Sequence, residues 1–324
     1  MKLKLFLCAL FCMFVFTGCG RNNLLLDYTE KRNNISSFAS VSDGNNLTRI
    51  TPFSEEVCVI PKEEVGVNVT DNFPASGLLM VDITDNKMYY ADGIYDKLYP
   101  ASLTKLATAL VCFKYGNMND DVTISYTASH INESGAKLCF LQEGDVINFE
   151  TLLNSFLVYS GNDAGIALAE HISGSEKEFV KLMNKELKSL GAVNTHFVNS
   201  HGLPDDDHYT SVYDIYLILN ELAGYDQFLE ISSQSEYIAE FYDKAGNKVR
   251  KVYDNTNMYL TGHKKLPKGY KIVAGKTGTT NAAGNCLAII ASGPNSHNYI
   301  AICMKAYSYD SLYGQINDLL KLAK

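Results

Sequence analysis

The sequence predicts an α/β (α+β) fold in which one sheet is joined to a mostly helical second lobe. Two observations predict it. Apolar runs typical of strands occur at residues 77–91 and again at residues 270–304, whereas residues 149–223 carry apolar side chains at the three- and four-residue spacing of helices. Strands from both ends of the domain therefore flank a helical insertion, and we expect a cleft between the two lobes.

The strands are predicted from apolar runs bounded by turn residues. Gly77–Ile83 and Lys87–Ala91 are joined by Thr84–Asn86, which predicts a β-hairpin. Three later runs have the same character, and Gly293–Asn295 joins the last two of them: Tyr270–Gly275, Cys286–Ser292 and Tyr299–Met304.

Helices are predicted where the apolar spacing changes to three and four residues. Pro100 precedes the first helix, Leu103–Tyr115, in a position that helix starts favour. Gly174 and Gly191 follow two later helices as C-terminal caps. The remaining predicted helices are Phe149–Tyr159, Ala164–Ile172, Glu176–Leu190, Ser211–Ala223 and Ser311–Leu322.

The N-terminal segment has the character of a secretion signal. Lys2 and Lys4 precede an apolar run from Leu5 to Phe16, which is too short to span a bilayer. The segment ends in Phe-Thr-Gly-Cys19, which resembles a bacterial lipobox, although Phe16 stands where Leu is usual. We therefore expect an exported protein whose Cys19 carries lipid and anchors it to the membrane. A plain cleaved signal is the alternative.

Composition predicts the domain organisation and excludes some partners. Residues 1–19 are the predicted signal, residues 20–72 a polar tether, and residues 73–324 a catalytic domain long enough for a sizeable core. The formal charge of −8 argues against a nucleic-acid partner. Five cysteines, an odd number, would remain beyond Cys19, and three of them lie in apolar stretches, so we expect no essential disulfide framework. No Cys-x-x-Cys spacing suggests zinc, and we expect no metal and no cofactor.

Three short motifs occur in a fixed order: Ser102-x-x-Lys105, Ser160-x-Asn162 and Lys276-Thr277-Gly278. The first two patterns recur at residues 134–137 and 296–298, so the order and the surroundings must decide between the copies. Only one choice gives all three in order with suitable surroundings. Ser134 and Lys137 have a glycine between them and are predicted to lie in a loop, where no helical turn sets their geometry.

The first motif can supply a nucleophile without histidine. Ser102 is predicted at the N-terminal end of a helix, where free backbone amides favour a developing oxyanion. Lys105 is one turn away on the same face, so its amine can reach the Ser102 hydroxyl. The lysine can act as a base only if its pKa is lowered, by burial and by a second cation, for which Lys276 is the candidate. Taken alone, an N-cap serine and a solvated lysine are the simpler interpretation.

The second motif lies between two predicted helices and can face the first across the cleft. Ser160 is a candidate proton relay to the leaving amine. Asn162 is a candidate hydrogen-bonding partner of Lys105 and of a substrate amide. Taken alone, this turn is just as often a helix cap.

The third motif is predicted to end a strand that faces the cleft. Lys276 and the hydroxyls of Thr277 and Thr279 are candidates for holding a terminal carboxylate, while Gly278 permits close approach of a substrate backbone. The backbone amides of Thr279 and Ser102 are the candidate oxyanion hole.

With their surroundings, these motifs resemble those of low-molecular-mass penicillin-binding proteins, the serine-type D-alanyl-D-alanine carboxypeptidases. The resemblance covers about residues 77–320 and includes Pro100–Lys105, Ser160–Ala164, Asn199–Leu203, Asn255–Asn257 and Gly275–Thr280. It implies a β-lactamase/transpeptidase-like fold, with an antiparallel sheet flanked by helices. It also implies removal of the terminal D-alanine from peptidoglycan stem peptides through an acyl-enzyme on Ser102, at the cell wall, with β-lactams acylating the same serine.

Alternative functions stay open. A serine β-lactamase is one, and a wall-binding lipoprotein with little turnover is another. Glu150 begins a Glu-x-x-Leu-Asn pattern that supplies the deacylating base in class A β-lactamases, but here the pattern precedes Ser160, so we expect Glu150 to be an exposed helix residue. His201 and His208, near three aspartates, could suggest a zinc peptidase, although loop histidines beside acids are usually structural.

Overall fold

An antiparallel sheet joins the early and late parts of the chain in the computed structural model, which describes residues 75–323. The strands are β1 (Gly77–Asp82), β2 (Lys87–Asp92), β3 (Asp121–Thr123), β4 (Val146–Asn148), β5 (Glu236–Tyr242), β6 (Lys248–Asp254), β7 (Lys271–Thr280), β8 (Gly284–Ser292) and β9 (Asn298–Ala306). The main sheet has the order β2-β1-β9-β8-β7, with every pair antiparallel. The first hairpin therefore pairs with the last strand, and β7 is an edge strand.

Helices lie on both faces of this sheet, and most of them form the second lobe. They are α1 (Thr104–Tyr115), α2 (Tyr126–Ser129), α3 (Phe149–Val158), α4 (Asn162–Ser173), α5 (Glu176–Ser189), α6 (Val212–Leu222), α7 (Asp226–Ser232) and α8 (Tyr309–Leu320). Gly174 ends α4 with a φ of +76°, the left-handed cap that glycine adopts without strain. The predicted fold, an antiparallel sheet flanked by helices with a mostly helical lobe, is confirmed.

The main sheet is buried on both faces because successive side chains of a strand point to opposite sides. In β1, Leu79 and Val81 belong to the core shared with the helical lobe. Leu78 and Met80 belong to a second core, which α8 covers with Leu312 and Ile316 among other residues. This double burial explains why β1 is a continuous apolar run rather than an alternating one.

Two boundaries differ from prediction at places that matter for function. The strand predicted to end at Gly275 continues to Thr280, because its ladder with β8 runs on until Thr280 pairs with Gly284. The Lys276 motif therefore lies inside β7 and not at its end. The helix predicted from Leu103 begins at Thr104, and a 3₁₀ turn, Ala101–Leu103, precedes it.

A second sheet, of order β3-β4-β5-β6, was not predicted from the sequence. Its longer strands, β5 and β6, expose most of one face, including the paired residues Ile238 and Val252. Charged residues interrupt both strands at irregular spacing, and Ile238 and Val252 lie on the exposed side. The alternation that identifies a half-buried strand is therefore weak here.

All described residues belong to one compact unit. Within them, none of the helices has both the length and the apolar character that crossing a bilayer requires. The predicted signal (1–19) with its lipidation site Cys19, and the predicted tether (20–72), lie outside the described residues.

The loop around Gly202 holds the 3₁₀ turn in place by direct backbone contact. Gly202 has a φ of +96°, and a Cβ atom there would lie 1.9 Å from the carbonyl oxygen of Ala101. Real Cβ atoms do not approach so closely, so only glycine fits. Ala101 itself has a φ of +47°, a strained conformation for a residue with a side chain.

We expect Gly202→Ala to lower the free energy of unfolding by about 3 kcal/mol or more, since it adds a steric clash to an unfavourable φ. Gly174→Ala is the matched control. It has a similarly positive φ but open space around its Cα, so we expect a loss of only about 1 kcal/mol. Chemical denaturation of both variants checks this, and equal losses would contradict the role given to the Gly202 contact.

Candidate active site

Ser102 lies in the 3₁₀ turn that precedes α1, between the two lobes. The Leu103 amide donates to the Pro100 carbonyl at 3.1 Å, which closes the turn. Gly278 of β7 presses against it, because a Cβ atom on Gly278 would lie 2.9 Å from the Ser102 nitrogen. The backbone of the Ser102 turn is thus held between β7 and the Gly202 loop.

A buried histidine supports the same turn through Thr104. The Thr104 hydroxyl donates to the Ala101 carbonyl at 2.9 Å and lies 2.8 Å from Nε2 of His208. Nδ1 of His208 accepts from the Val198 amide at 3.0 Å, so Nε2 carries the proton and donates to Thr104. Burial lowers the pKa of His208 to about 3, which keeps the ring neutral. The residue is therefore a hydrogen-bonding support at ordinary pH.

Lys105 is fully buried one turn after Ser102, with its amine at the centre of a compact set of acceptors. Its Nζ lies 3.1 Å from Oγ of Ser102, 2.7 Å from Oδ1 of Asn162 and 2.6 Å from the carbonyl oxygen of His201. Burial lowers the pKa of Lys105 to about 7; the Lys137 charge also lowers it, while Cys139 and Asp163 oppose the shift.

Two further lysines lie near Lys105. The Lys137 charge lowers the pKa of Lys105, and Lys105 in turn lowers the pKa of Lys276, the second cation predicted from the sequence. Lys276 is 2% exposed, and burial holds its own pKa well below the ordinary value, with Lys105 and Lys137 adding to the effect. A group that resists protonation supplies little charge to its neighbour.

Ser160 and Asn162 enter the cleft from the turn that begins α4. The Asn162 amide donates to the carbonyl of Lys137 at 2.7 Å, which ties this turn to the loop before β4. Ser160 has a φ of +74°, a sparsely populated conformation for serine, and its side chain is buried at the cleft wall. Such strain is common where a side chain must be aimed.

The β7 residues form the facing wall. Nζ of Lys276 donates to the Thr277 carbonyl at 3.1 Å. The Thr277 hydroxyl donates to that of Thr256 at 2.6 Å, and the Thr279 hydroxyl lies 3.3 Å from the hydroxyl of Tyr309. Hydroxyl groups therefore dominate this side of the cleft.

The structure brings all predicted catalytic and substrate-binding residues together. One cleft is lined by Ser102, Ser160, Asn162, Thr277, Gly278 and Thr279, among others. The two motif lysines, Lys105 and Lys276, are buried in its wall. Cys19, the predicted lipidation site, lies outside the described residues.

Three further cleft residues escaped the sequence analysis: Lys137, Thr256 and Tyr309. Lys137 had been noted only as part of a chance Ser-x-x-Lys match. Its loop is indeed not helical at Ser134, yet Lys137 lies on the cleft wall. Thr256 belongs to the segment Asn255–Asn257 quoted for the resemblance, which was the one available signal.

The residues that the sequence suggested for a β-lactamase base, a zinc site or disulfides have ordinary structural surroundings. Glu150 is exposed in the first turn of α3, as predicted. Nε2 of His201 lies 3.6 Å from a carboxylate oxygen of Glu176, and its Nδ1 accepts from the Leu203 amide. The described cysteines are buried free thiols: Cys112, Cys139, Cys286 and Cys303.

Comparison with known proteins gives consistent similarities. This chain is 33% identical to D-alanyl-D-alanine carboxypeptidase DacF of Bacillus subtilis over 256 residues, covering 77% of this chain and 62% of that one. It is 29% identical to D-alanyl-D-alanine carboxypeptidase DacA of Haemophilus influenzae, with 77% and 62% covered. The chain thus spans about 62% of the length of these relatives.

Solved structures share the fold. The Streptomyces K15 DD-transpeptidase superposes with a TM-score of 0.71 at 23% identity, covering 77% of this chain and 97% of that one. The D-alanyl-D-alanine carboxypeptidase DacD of Francisella tularensis has a TM-score of 0.68 at 23% identity, with 78% and 70% covered. The family model described as D-alanyl-D-alanine carboxypeptidase, Peptidase_S11, matches residues 65–308. Because that match spans most of the sequence, the chain belongs to the S11 family of D-alanyl-D-alanine carboxypeptidases.

Proposed function

We propose that this protein is a serine-type D-alanyl-D-alanine carboxypeptidase, which removes the terminal D-alanine from peptidoglycan stem peptides through an acyl-enzyme on Ser102. The observation that carries the proposal is the position of the Lys105 amine, 3.1 Å from the Ser102 hydroxyl. Membership of the S11 family supports the reaction and the substrate class.

The hydrogen bonds of Lys105 orient its lone pair. A neutral amine has two N–H donors and one lone pair. Asn162 Oδ1 and the His201 carbonyl are both acceptors, so they take the two donors. The lone pair then faces the Ser102 hydroxyl, which can transfer its proton to the amine as it attacks the substrate carbonyl. Because the pKa of Lys105 is about 7, its amine is neutral in a large fraction of the molecules near neutral pH.

The remaining steps use the groups around the nucleophile. We assign stabilisation of the tetrahedral oxyanion to the backbone amides of Ser102 and Thr279. Ser160 passes the proton from Lys105 to the departing amine of D-alanine. Water then attacks the acyl-enzyme and releases the shortened peptide.

The edge of β7 suits a peptide substrate. β7 pairs only with β8 in the main sheet, so its other side is open for an extended peptide to add as a further strand. Gly278, whose missing Cβ lets β7 pack against the Ser102 turn, lies at this edge. The Thr279 hydroxyl can donate to a terminal carboxylate, and the Thr277 hydroxyl can do so by exchanging its bond to Thr256. β-Lactams, which acylate such serines, are the expected inhibitors.

The N-terminal sequence supports an extracytoplasmic location. We propose that Cys19 is acylated after removal of the signal and holds the enzyme at the membrane, facing the cell wall, at the end of the polar tether. The basis is the charged start, the apolar run and the lipobox-like ending of residues 1–19.

We expect Ser102→Ala to lower D-alanine release by roughly a thousandfold or more and to abolish covalent labelling by penicillin, because the acyl-enzyme cannot form. The measurement is mass spectrometry of a stem pentapeptide and of the intact protein. Ser134→Ala, the serine of the second Ser-x-x-Lys match, is the control and should retain both. Unchanged release by Ser102→Ala, with its melting temperature preserved, would refute the assignment.

The rate of acylation should rise with pH through about 7 and then level off, because only neutral Lys105 can accept the Ser102 proton. Stopped-flow acylation by a chromogenic β-lactam measures this directly. Lys105→Arg should abolish the reaction, since an arginine side chain stays protonated. A rate that falls as the pH rises through 7 would contradict the proposed base.

The penicilloyl adduct should be long-lived, which separates this enzyme from the β-lactamase alternative. None of the residues that line the described cleft is Asp or Glu, so no carboxylate is placed to activate water against the adduct. Intact-protein mass spectrometry should detect the adduct for minutes to hours at neutral pH. Release within seconds would favour a β-lactamase instead.

A further inference from the structure

A cation binds a carboxylate more strongly than hydroxyl groups alone, and Lys276, the candidate from the sequence, already has an acceptor in its own strand. Lys276 is buried, donates to its own strand at the Thr277 carbonyl, and shares its surroundings with Lys105. The only arginine between residues 75 and 323, Arg250, is exposed on β6, where its strand partner is Glu240. It is not among the cleft residues.

Lys137 lies where such a cation is needed. It lines the cleft together with Ser102, Thr277 and Thr279. The backbone amide of Asn162 donates to the backbone carbonyl of Lys137 at 2.7 Å. This bond fixes Lys137 beside the turn that carries Ser160. Its ammonium lies 4.0 Å from the centre of the Tyr159 ring, a cation–π contact that supports the side chain without using its hydrogen-bond donors.

The surroundings of Lys137 leave its charge available to a ligand. The side chain is half-buried, in contrast to Lys105 and Lys276. Burial lowers the pKa of Lys137, but the negative charge of Asp254 opposes that shift and favours the ammonium. Asp254 lies at the end of β6 and lines an adjoining pocket that shares Thr256 and Met258 with the cleft. An ammonium at a cleft wall attracts an anion more strongly than one in open solvent.

We propose that Lys137 is the residue that binds a carboxylate of the substrate in this cleft, and so determines specificity for anionic peptides. The inference rests on the proposed carboxypeptidase function and deepens it. The carboxylate can be the C-terminal one or one farther along the stem peptide. Both have the same chemistry, and the experiment distinguishes them.

The test compares three stem pentapeptides with the full-length protein. One has all carboxylates free, the second is amidated at the C-terminus, and the third is amidated at its internal carboxylates. Release of D-alanine or D-alaninamide gives kcat/KM for each peptide. Lys137→Met should lower kcat/KM for the fully anionic peptide roughly tenfold, mainly through KM, as expected for loss of a charge-assisted hydrogen bond.

The proposal predicts how the variant changes the ratio of kcat/KM between peptides, because any effect of Lys137 on the pKa of Lys105 is common to all three. If Lys137 binds the C-terminal carboxylate, Lys137→Met loses less kcat/KM on the C-terminal amide than on the fully anionic peptide. If it binds an internal carboxylate, the internally amidated peptide shows the smaller loss. Lys137→Arg, which keeps the charge, should retain the preference for the anionic peptide.

Lys97→Met is the matched control. Its ammonium also lies over a tyrosine ring, 3.7 Å from the centre of Tyr209, but Lys97 is exposed and does not line the cleft. It should change none of the three values. An equal loss on all three peptides in Lys137→Met, or no loss, overturns the proposal. If the wild-type protein cleaves none of the peptides, the proposed function itself fails.

Discussion

The site depends on the buried amine of Lys105, whose two N–H groups, when it is neutral, match two fixed hydrogen-bond acceptors. Complete burial makes the ammonium form of Lys105 costly, and its pKa falls to about 7. Asn162 and the His201 carbonyl then take both remaining N–H groups. The same burial that stabilises the core around α1 thus suits Lys105 to the role of base that we propose for it, without a histidine or a carboxylate.

This arrangement constrains the elements around it. Ser102 must stay within reach of the amine, and its turn is held by Gly202 on one side and Gly278 on the other, where no side chain fits. His208 adds a third support through Thr104. Strain at Ala101 and Ser160 is concentrated at the two turns that face each other across the cleft. The surrounding packing therefore stabilises conformations that these residues would not adopt alone.

Much of the fold could be predicted because its elements are strongly periodic. β1 and β9 each contain a continuous apolar run, since both faces of the sheet are covered, and α3 to α6 repeat apolar residues at helical spacing. The hairpin of β5 and β6 was missed because exposed Ile238 and Val252 weaken its alternation. The motifs identified the candidate site, since their spacing is local. Lys137 could not be placed, because its approach to the cleft depends on a backbone bond to Asn162, and nothing in its own tetrapeptide indicates that contact.

The open edge of β7 has a consequence for the behaviour of the protein in solution. A strand with unsatisfied amides and carbonyls can bind a strand of a neighbouring molecule as readily as a short peptide, which leads to aggregation. Here Thr277 and Gly278 are buried at the bottom of the cleft, and Lys271 is exposed at the start of the strand. A recessed edge is less accessible to the broad sheet of another copy than to one extended chain, so the depth of the cleft limits edge-to-edge aggregation through β7.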